Sequence, residues 1–449
     1  RPGTSIPRFS TTRRNQPPAM PPHRKLVAPR ADFGPGFLLT DELGLTPLLF
    51  ASAISRAEPE AAPAVATNAL GVDLYRLEAA SHAGNILLSP YSIETALTMA
   101  FGGAGGVTRQ EMAKVMHLGN NPDNLPQQFA SLQRTLEKAE ADSKKKAAAV
   151  KEPEYKSDPV KLRVANRLFG KKDISFDKTF LSLAGAIWQA PLEPLDFALF
   201  PAESRSHINA WVEQRTGKRI QNLIPQGGVD KDTSLVLVNA LFFKASWADQ
   251  FLRELTKPLP FHVAGKTPVT VPLMYQMQVR NYIKGPDYAA ITLPLSGEEL
   301  QFLVILPNAR DGLAALEKQL SAGLLSRLAK LPKEGQVEIH LPKFKLSLPA
   351  LSLAKHLKTL GMKSAFDASA DFTRMTSGNG SQPLFLSGVF HKTFIAIDEK
   401  GTEAGAATSA PVAASGPDLE FRADHPFLFA VQHRESGVCL FLGRLMDPR

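Results

Sequence analysis

An α+β fold in a single large domain is predicted by three observations. Helical apolar patterns come early in the chain and long strand-like runs come later, with no regular βαβ rhythm. Two of the later segments, SLVLVNALFF and LQFLVILP, are continuously apolar, as strands covered on both faces should be. Finally, nothing between Val65 and Arg449 reads as an interdomain linker or a repeat, although the length of 449 residues alone would allow more than one domain. A hydrophobic content of 44% is sufficient for a sizeable core.

Residues 1–64 stand apart. They are rich in Pro, Arg, Ser and Ala without sustained periodicity, and read as a disordered or targeting leader before a domain spanning 65–449. The acid-poor start followed by FLLTDELGLTPLLFASAISRAEPEA has the order of an export leader, although Asp41 and Glu42 interrupt its apolar stretch. Export, to an extracellular or periplasmic location, is therefore expected, with organelle-targeted and cytoplasmic alternatives. The domain opens with TNALGVDLYRLEAA, which puts Leu70, Leu74 and Leu77 on one helical face. Ile93–Phe101 is a mostly apolar helix that must be buried, and Gly102–Gly106 reads as the turn that ends it. SKKKAAAVKEPEYKSDPVKLR, Ser143 to Arg163, reads as a solvated insertion, since Pro153 and Pro159 interrupt any long helix. VEIHLPKFKLS alternates as a strand with one wet face would.

Function classes are narrowed by what the chain contains. The net charge is +9, but residues 1–40 hold seven Arg or Lys against Asp32 alone, so six of those nine charges belong to the leader. Nucleic-acid binding by the folded body is not implied. No apolar run approaches the roughly 18–20 residues of a membrane span, and no membrane partner is expected. Cys439 is the single cysteine and reads as a small buried hydrophobe. Histidines show no close metal spacing, the glycines of Gly102–Gly106 lack the Lys-Ser/Thr of a phosphate loop, and no Gly-x-Ser-x-Gly elbow occurs. Neither a catalytic set, a metal site nor a cofactor is expected.

The segment EKGTEAGAATSAPVAASG, Glu399 to Gly416, is the most informative in the chain. It is too poor in apolar bulk for a core strand and too poor in Leu, Lys and Glu for a surface helix. At period two, Thr402, Ala404, Ala406, Thr408, Ala410 and Val412 share one face, and none is larger than Val. Such a strand is suited to sliding into an existing sheet. Four polar residues elsewhere, Ser89, Ser92, Asn239 and His391, are embedded in apolar sequence and must find hydrogen-bond partners if buried.

The Glu399–Gly416 segment resembles the hinge and reactive-centre loop of the serpins. Blocks in serpin order surround it: NILLSPYSIETALTMAFGGAGGVTRQEM, ANRLFG, INAWVEQRTGKRI, LVNALFFKASW, LPKFKL, VFHKTFIAIDEKGTEA, and DHPFLFAV followed by GVCLFLGRLMDP. The resemblance implies helices packed around three β-sheets with an exposed loop. It implies a shutter of Ser89, Ser92, Asn239 and His391 beneath the main sheet, and Trp247 at the breach where the loop first enters, with Ala245 where the family commonly has Gly. It makes Glu399, Gly401, Thr402, Glu403, Ala404, Gly405, Ala406, Ala407 and Thr408 the hinge. Counting from Gly401 and back from His425 places the reactive bond at Ser415–Gly416, with Val412, Ala413 and Ala414 leading into it.

The resemblance thus implies a monomeric suicide inhibitor of a serine peptidase with a small-residue primary pocket, of elastase-like or subtilisin-like type. A non-inhibitory member acting as a carrier or chaperone is the alternative. Heparin-regulated serpins carry a basic helical face near the position of Lys144, Lys145 and Lys146; here nearby acids and prolines favour a solvated segment over a polyanion site. Pro411 cannot donate to a ladder and sits late in the loop, where it would weaken insertion.

Overall fold

The computed structural model describes residues 61–119, 125–150, 158–188, 192–263, 266–377, 383–401 and 419–449. Helices lead the chain: α1 (Ala61–Ser81), a short strand β1 (Ile86–Leu88), α2 (Pro90–Gly103), α3 (Gly106–Val115) and α4 (Leu125–Ala149). Next come β2 (Lys161–Lys171), α5 (Lys178–Trp188), β3 (Glu193–Leu195) and α6 (Pro201–Arg215). Strands then dominate, with β4 (Leu235–Lys244), β5 (Lys257–Phe261), β6 (Val269–Lys284), β7 (Tyr288–Pro294) and β8 (Leu300–Pro307). Two short helices, α7 (Leu313–Gln319) and α8 (Ala322–Leu328), precede β9 (Lys333–Pro342), β10 (Phe344–Leu346), β11 (Leu351–Ser352) and α9 (Ala354–Leu360). The chain closes with β12 (Leu386–Ile397), β13 (Leu419–Arg422), β14 (Phe427–His433) and β15 (Cys439–Leu445).

Strand pairing joins these into two sheets among the described residues. One runs β1-β15-β14-β8-β7-β6-β9-β13, with β5 also on β6; the other runs β10-β12-β4-β2-β3, with β11 on β12. Three sheets were expected. Only two hydrogen-bonded sets are distinct because the 16-residue β6 serves two neighbourhoods: its first part pairs β5 and β9, and Asn281–Lys284 pairs β7.

The core follows the apolar pattern. Every residue of β8 is buried, and all of β4 except its last residue, as the continuous runs required. Helix α2 is apolar on most sides and packs against β4, β15 and β2. Two of its buried hydroxyls are satisfied within the helix: Thr95 Oγ1 donates to the Tyr91 carbonyl and Thr98 Oγ1 to the Thr95 carbonyl, both at 2.7 Å. Leu70 and Leu74 of α1 are fully buried, with Leu77 at the margin.

Three local expectations need correcting. Gly102 and Gly103 belong to α2, so the break falls at Ala104–Gly105. Ser143–Ala149 forms the last turns of α4 rather than an insertion, because Ser143 and Ala147 bury one edge of the helix while the lysines face out. The alternating segment splits into β9 and β10, and Ile339–Pro342 is buried on both faces.

Candidate functional site

Three polar residues lie in one row across the second sheet. Asn239 of β4 is the register partner of both Asn166 on β2 and His391 on β12. Directly paired residues point to the same face, so all three meet the start of α2. Ser89 caps that helix, its hydroxyl accepting from the Ser92 amide at 3.2 Å, while its own amide donates to His391 Nε2 at 3.1 Å. Asn239 Nδ2 donates to Ser92 Oγ at 2.5 Å and to Asn166 Oδ1 at 2.6 Å, and Asn239 Oδ1 accepts from His391 Nδ1. The partners fix the tautomer: Nδ1 carries the proton and Nε2 accepts. Burial pushes the His391 pKa down to about 3, so the ring is neutral at ordinary pH.

All four expected shutter residues therefore meet in one fully buried network. Asn166 is a fifth member that the sequence reading passed over. It lies in ANRLFG between Ala165 and the buried Leu168-Phe169, and the test applied to Asn239, a polar residue in an apolar run, would have found it.

The network ties together the two central strands. β12 and β4 run parallel, from Leu386 opposite Leu235 to Phe394 opposite Phe242. Beyond Phe394 and Phe242 each strand keeps its outer partner, Ile395–Ile397 on β10 and Phe243–Lys244 on β2. Just past this end of the seam the chain leaves β12 through a turn in which Asp398 and Gly401 exchange backbone hydrogen bonds.

Trp247 anchors that turn. Its indole N–H donates to the Asp398 carbonyl at 2.8 Å and its amide to the Lys400 carbonyl at 2.7 Å, while the ring packs edge-on against Phe251 and Phe302. Gly401 has φ +130°, a conformation closed to ordinary side chains, and an added Cβ would sit 2.2 Å from the carbonyl oxygen of the buried Ala245. Glu399 is held by Lys343 Nζ at 2.8 Å and by the Thr256 hydroxyl at 3.0 Å. Its burial would raise the carboxyl pKa, but those two partners outweigh it and hold the group below its usual value. Neither Lys343 nor Thr256 was recognisable from sequence, since each meets Glu399 only through tertiary packing.

The remaining hinge residues, Thr402, Glu403, Ala404, Gly405, Ala406, Ala407 and Thr408, lie outside the described residues. So do Val412, Ala413, Ala414, the Ser415–Gly416 bond and Pro411. Lys144, Lys145 and Lys146 are exposed on α4; Lys145 Nζ is 3.7 Å from Asp142, and Lys146 Nζ donates to the Gly297 carbonyl at 2.7 Å. Cys439 is buried with its thiol pushed up to about 12, as a structural cysteine should be. No group of His, Cys, Asp and Glu with metal-site geometry occurs among the described residues.

Comparison with known proteins agrees with this geometry. Residues 65–448 match the family described as "Serpin (serine protease inhibitor)". The leukocyte elastase inhibitor of Bos taurus is 37% identical over 394 residues, covering 85% of this chain and 98% of that protein. Serpin B3 of Homo sapiens is 36% identical, covering 84% of this chain and 97% of its own length. Among solved structures, uncleaved ovalbumin superposes with a TM-score of 0.76 at 27% identity, covering 86% of this chain and all of the other. A family match across nearly the whole domain, with relatives aligned along almost their full length, shows that the chain belongs to the serpin family of serine protease inhibitors.

Proposed function

We propose that this chain inhibits by trapping: a serine peptidase of elastase-like or subtilisin-like specificity cuts Ser415–Gly416 and is caught when the freed loop enters the β4–β12 seam. One observation carries the reading. β4 and β12 are parallel neighbours, and the chain leaves β12 at Gly401, beside the end of the seam. A strand that turns back there runs antiparallel to both neighbours and pairs on both edges, the more stable ladder type. The peptidase serine Oγ attacks the Ser415 carbonyl, the Ser415–Gly416 amide breaks, the new amine takes the proton, and an ester joins the two proteins. Insertion of Thr402–Val412 then carries the ester-linked peptidase away from its working geometry before water can hydrolyse it. Small inward residues, Thr402, Ala404, Ala406 and Thr408, are what this step requires.

The non-inhibitory alternative is favoured by one residue, Pro411, which removes a donor from the inserting strand. For location, the likeness to leukocyte elastase inhibitors and Serpin B3 weighs toward the cytoplasmic alternative rather than export; fractionation of cells expressing the full chain decides it. We take the inhibitor to act as a monomer and Lys144–Lys146 to serve the helix surface rather than a polyanion.

Incubating the full chain with an elastase-like peptidase, read by denaturing gel and intact mass, tests the proposal. The expected result is a covalent adduct with release of a peptide beginning at Gly416. Thr402→Arg should be cut at the same bond without adduct. Full inhibition by Thr402→Arg would remove the hinge assignment, and adduct-free cleavage of the unaltered chain would leave the carrier reading in front.

A further inference from the structure

The β4–β12 seam has two faces. The inner one carries Asn239 and His391 of the buried polar network. Side chains alternate along a strand, and direct register partners share a face, so Phe242 and Phe394 project from the outer one. There they belong to the apolar cluster that includes Ile208 and Val212 of α6. Toward the loop end of the seam the outer register pairs are Phe390–Val238, Lys392–Ala240 and Phe394–Phe242, and the last alone joins two rings. Their centroids lie 6.1 Å apart with the planes tilted by 35°, a favourable aromatic arrangement. Each ring also lies near a cation held outside the seam. Lys345 Nζ, on β10 at the far edge of β12, is 5.3 Å from the Phe394 centroid. The Arg219 guanidinium, in the turn after α6, is 5.8 Å from that of Phe242. Parting the strands can keep both ring–cation contacts and must break the ring–ring contact. That contact is the last pair of the ladder, at the end where the chain turns from β12 toward the loop.

We propose that Phe242 and Phe394 form an outer latch on the seam, whose separation is the first step of strand entry and sets its rate. The latch rests on the trapping reading above. Both rings are positioning residues: they act by holding β4 against β12, not by touching the reactive bond. The inner polar network and the outer rings close opposite faces of one seam, but the rings stand where entry begins. A tight latch keeps the seam closed before cleavage. A looser one favours entry in its race with ester hydrolysis.

Entry is measured without a peptidase. A synthetic peptide with the sequence of Thr402–Val412 is incubated with the intact full chain, and the rate of forming a one-to-one complex is followed by native gel and native mass. Phe394→Leu should speed uptake by about two- to tenfold, the factor expected for losing one aromatic pair. Phe242→Leu should do the same, and the double variant should be no faster than the singles, since either change removes the whole contact. Phe394→Tyr keeps the ring and should restore the parent rate. Phe429→Leu, which breaks the stacked Phe302–Phe429 pair in the other sheet, should leave the rate unchanged. If Phe242→Leu folds poorly, Phe394→Leu and Phe394→Tyr carry the test. Uptake at one rate by all variants, additive effects of the two Leu changes, or equal acceleration by Phe429→Leu would overturn the latch and leave trapping intact. Failure of the peptide to enter the parent chain or any variant would remove the trapping reading and the latch together.

Discussion

Two buried titratable residues pull the stability of this chain in opposite directions. Burial lowers the His391 pKa to about 3, so the native ring stays neutral while an unfolded chain takes up a proton below about 6.5. Its contribution is complete above that value and falls by about 1.4 kcal/mol per pH unit as pH drops toward 3. Glu94 on α2 is wholly buried, neither carboxyl oxygen has a hydrogen-bond partner among the described residues, and desolvation raises its pKa well above 4.5. Here the native state keeps a proton that the unfolded chain gives up, so stability is full below about 4.5 and falls as pH rises. Glu94→Met should therefore stabilise the protein by about 1–3 kcal/mol at neutral pH, through removal of an unpartnered buried group. The gain should grow from pH 4 to pH 8 when both proteins are unfolded in urea. A constant gain, or a loss, would mean that Glu94 has a partner when the protein is in solution. Sequence alone marked Ser89, Ser92, Asn239 and His391 as out of place in apolar surroundings, and the structure joins them. Glu94 sits in the same kind of run, but a Glu in a helix is so ordinary that its burial was not legible without the packing around it.

At the level of elements, the turn from β12 into the loop joins backbone geometry to packing. Two glycines with positive φ separate these effects. Gly217 has φ +61° with nothing near an added Cβ, so an alanine there meets only the cost of the left-handed backbone, about 1 kcal/mol. Gly401 has φ +130° and the Ala245 carbonyl oxygen 2.2 Å from the same added atom. Gly401→Ala should cost about 2–3 kcal/mol by chemical unfolding, clearly more than Gly217→Ala. It should also redden the Trp247 emission, because the turn bearing Asp398 must move off the indole. Equal costs at the two positions would show that the turn is not packed against β4. The strands were the more legible elements, since β4 and β8 are continuous apolar runs whose burial leaves little choice. Helix ends were less so. The glycines of Gly102–Gly106 signalled a stop, yet the packing of α2 carries the helix through two of them; and Lys144–Lys146 read as solvated sequence, although Ser143 and Ala147 bury the helix edge beneath them.

For the molecule as a whole, β4 and β12 form a directly paired parallel ladder, and this is the seam that the proposed insertion would have to open. Small residues in Glu399–Gly416 pointed to the proposed function, while the parallel β4–β12 seam was not legible, because a pair between strands some 150 residues apart leaves no local pattern. Under the proposed trapping, accepting the loop would break one parallel ladder, Leu386–Phe394 on Leu235–Phe242, and form two antiparallel ones. The net gain is on the order of ten backbone hydrogen bonds at about 0.5–1.5 kcal/mol each, roughly 10 kcal/mol before side chains are considered. In that reading the Ser89–Ser92–Asn239–His391 network would have to part and re-form, so the gain would be held back by kinetics rather than by equilibrium. Cleavage by a metal-dependent peptidase isolates the step, because its nucleophile is water and no ester can tether the product. The nicked protein should melt higher than the intact one, by about 10 °C if most of the gain is realised. Pro411 sets the expected shortfall: Pro411→Ala restores one ladder donor and should raise the melting temperature of the nicked form without changing that of the intact protein. An unshifted melting temperature after complete cleavage would mean that the seam stays closed, and trapping would fail with it.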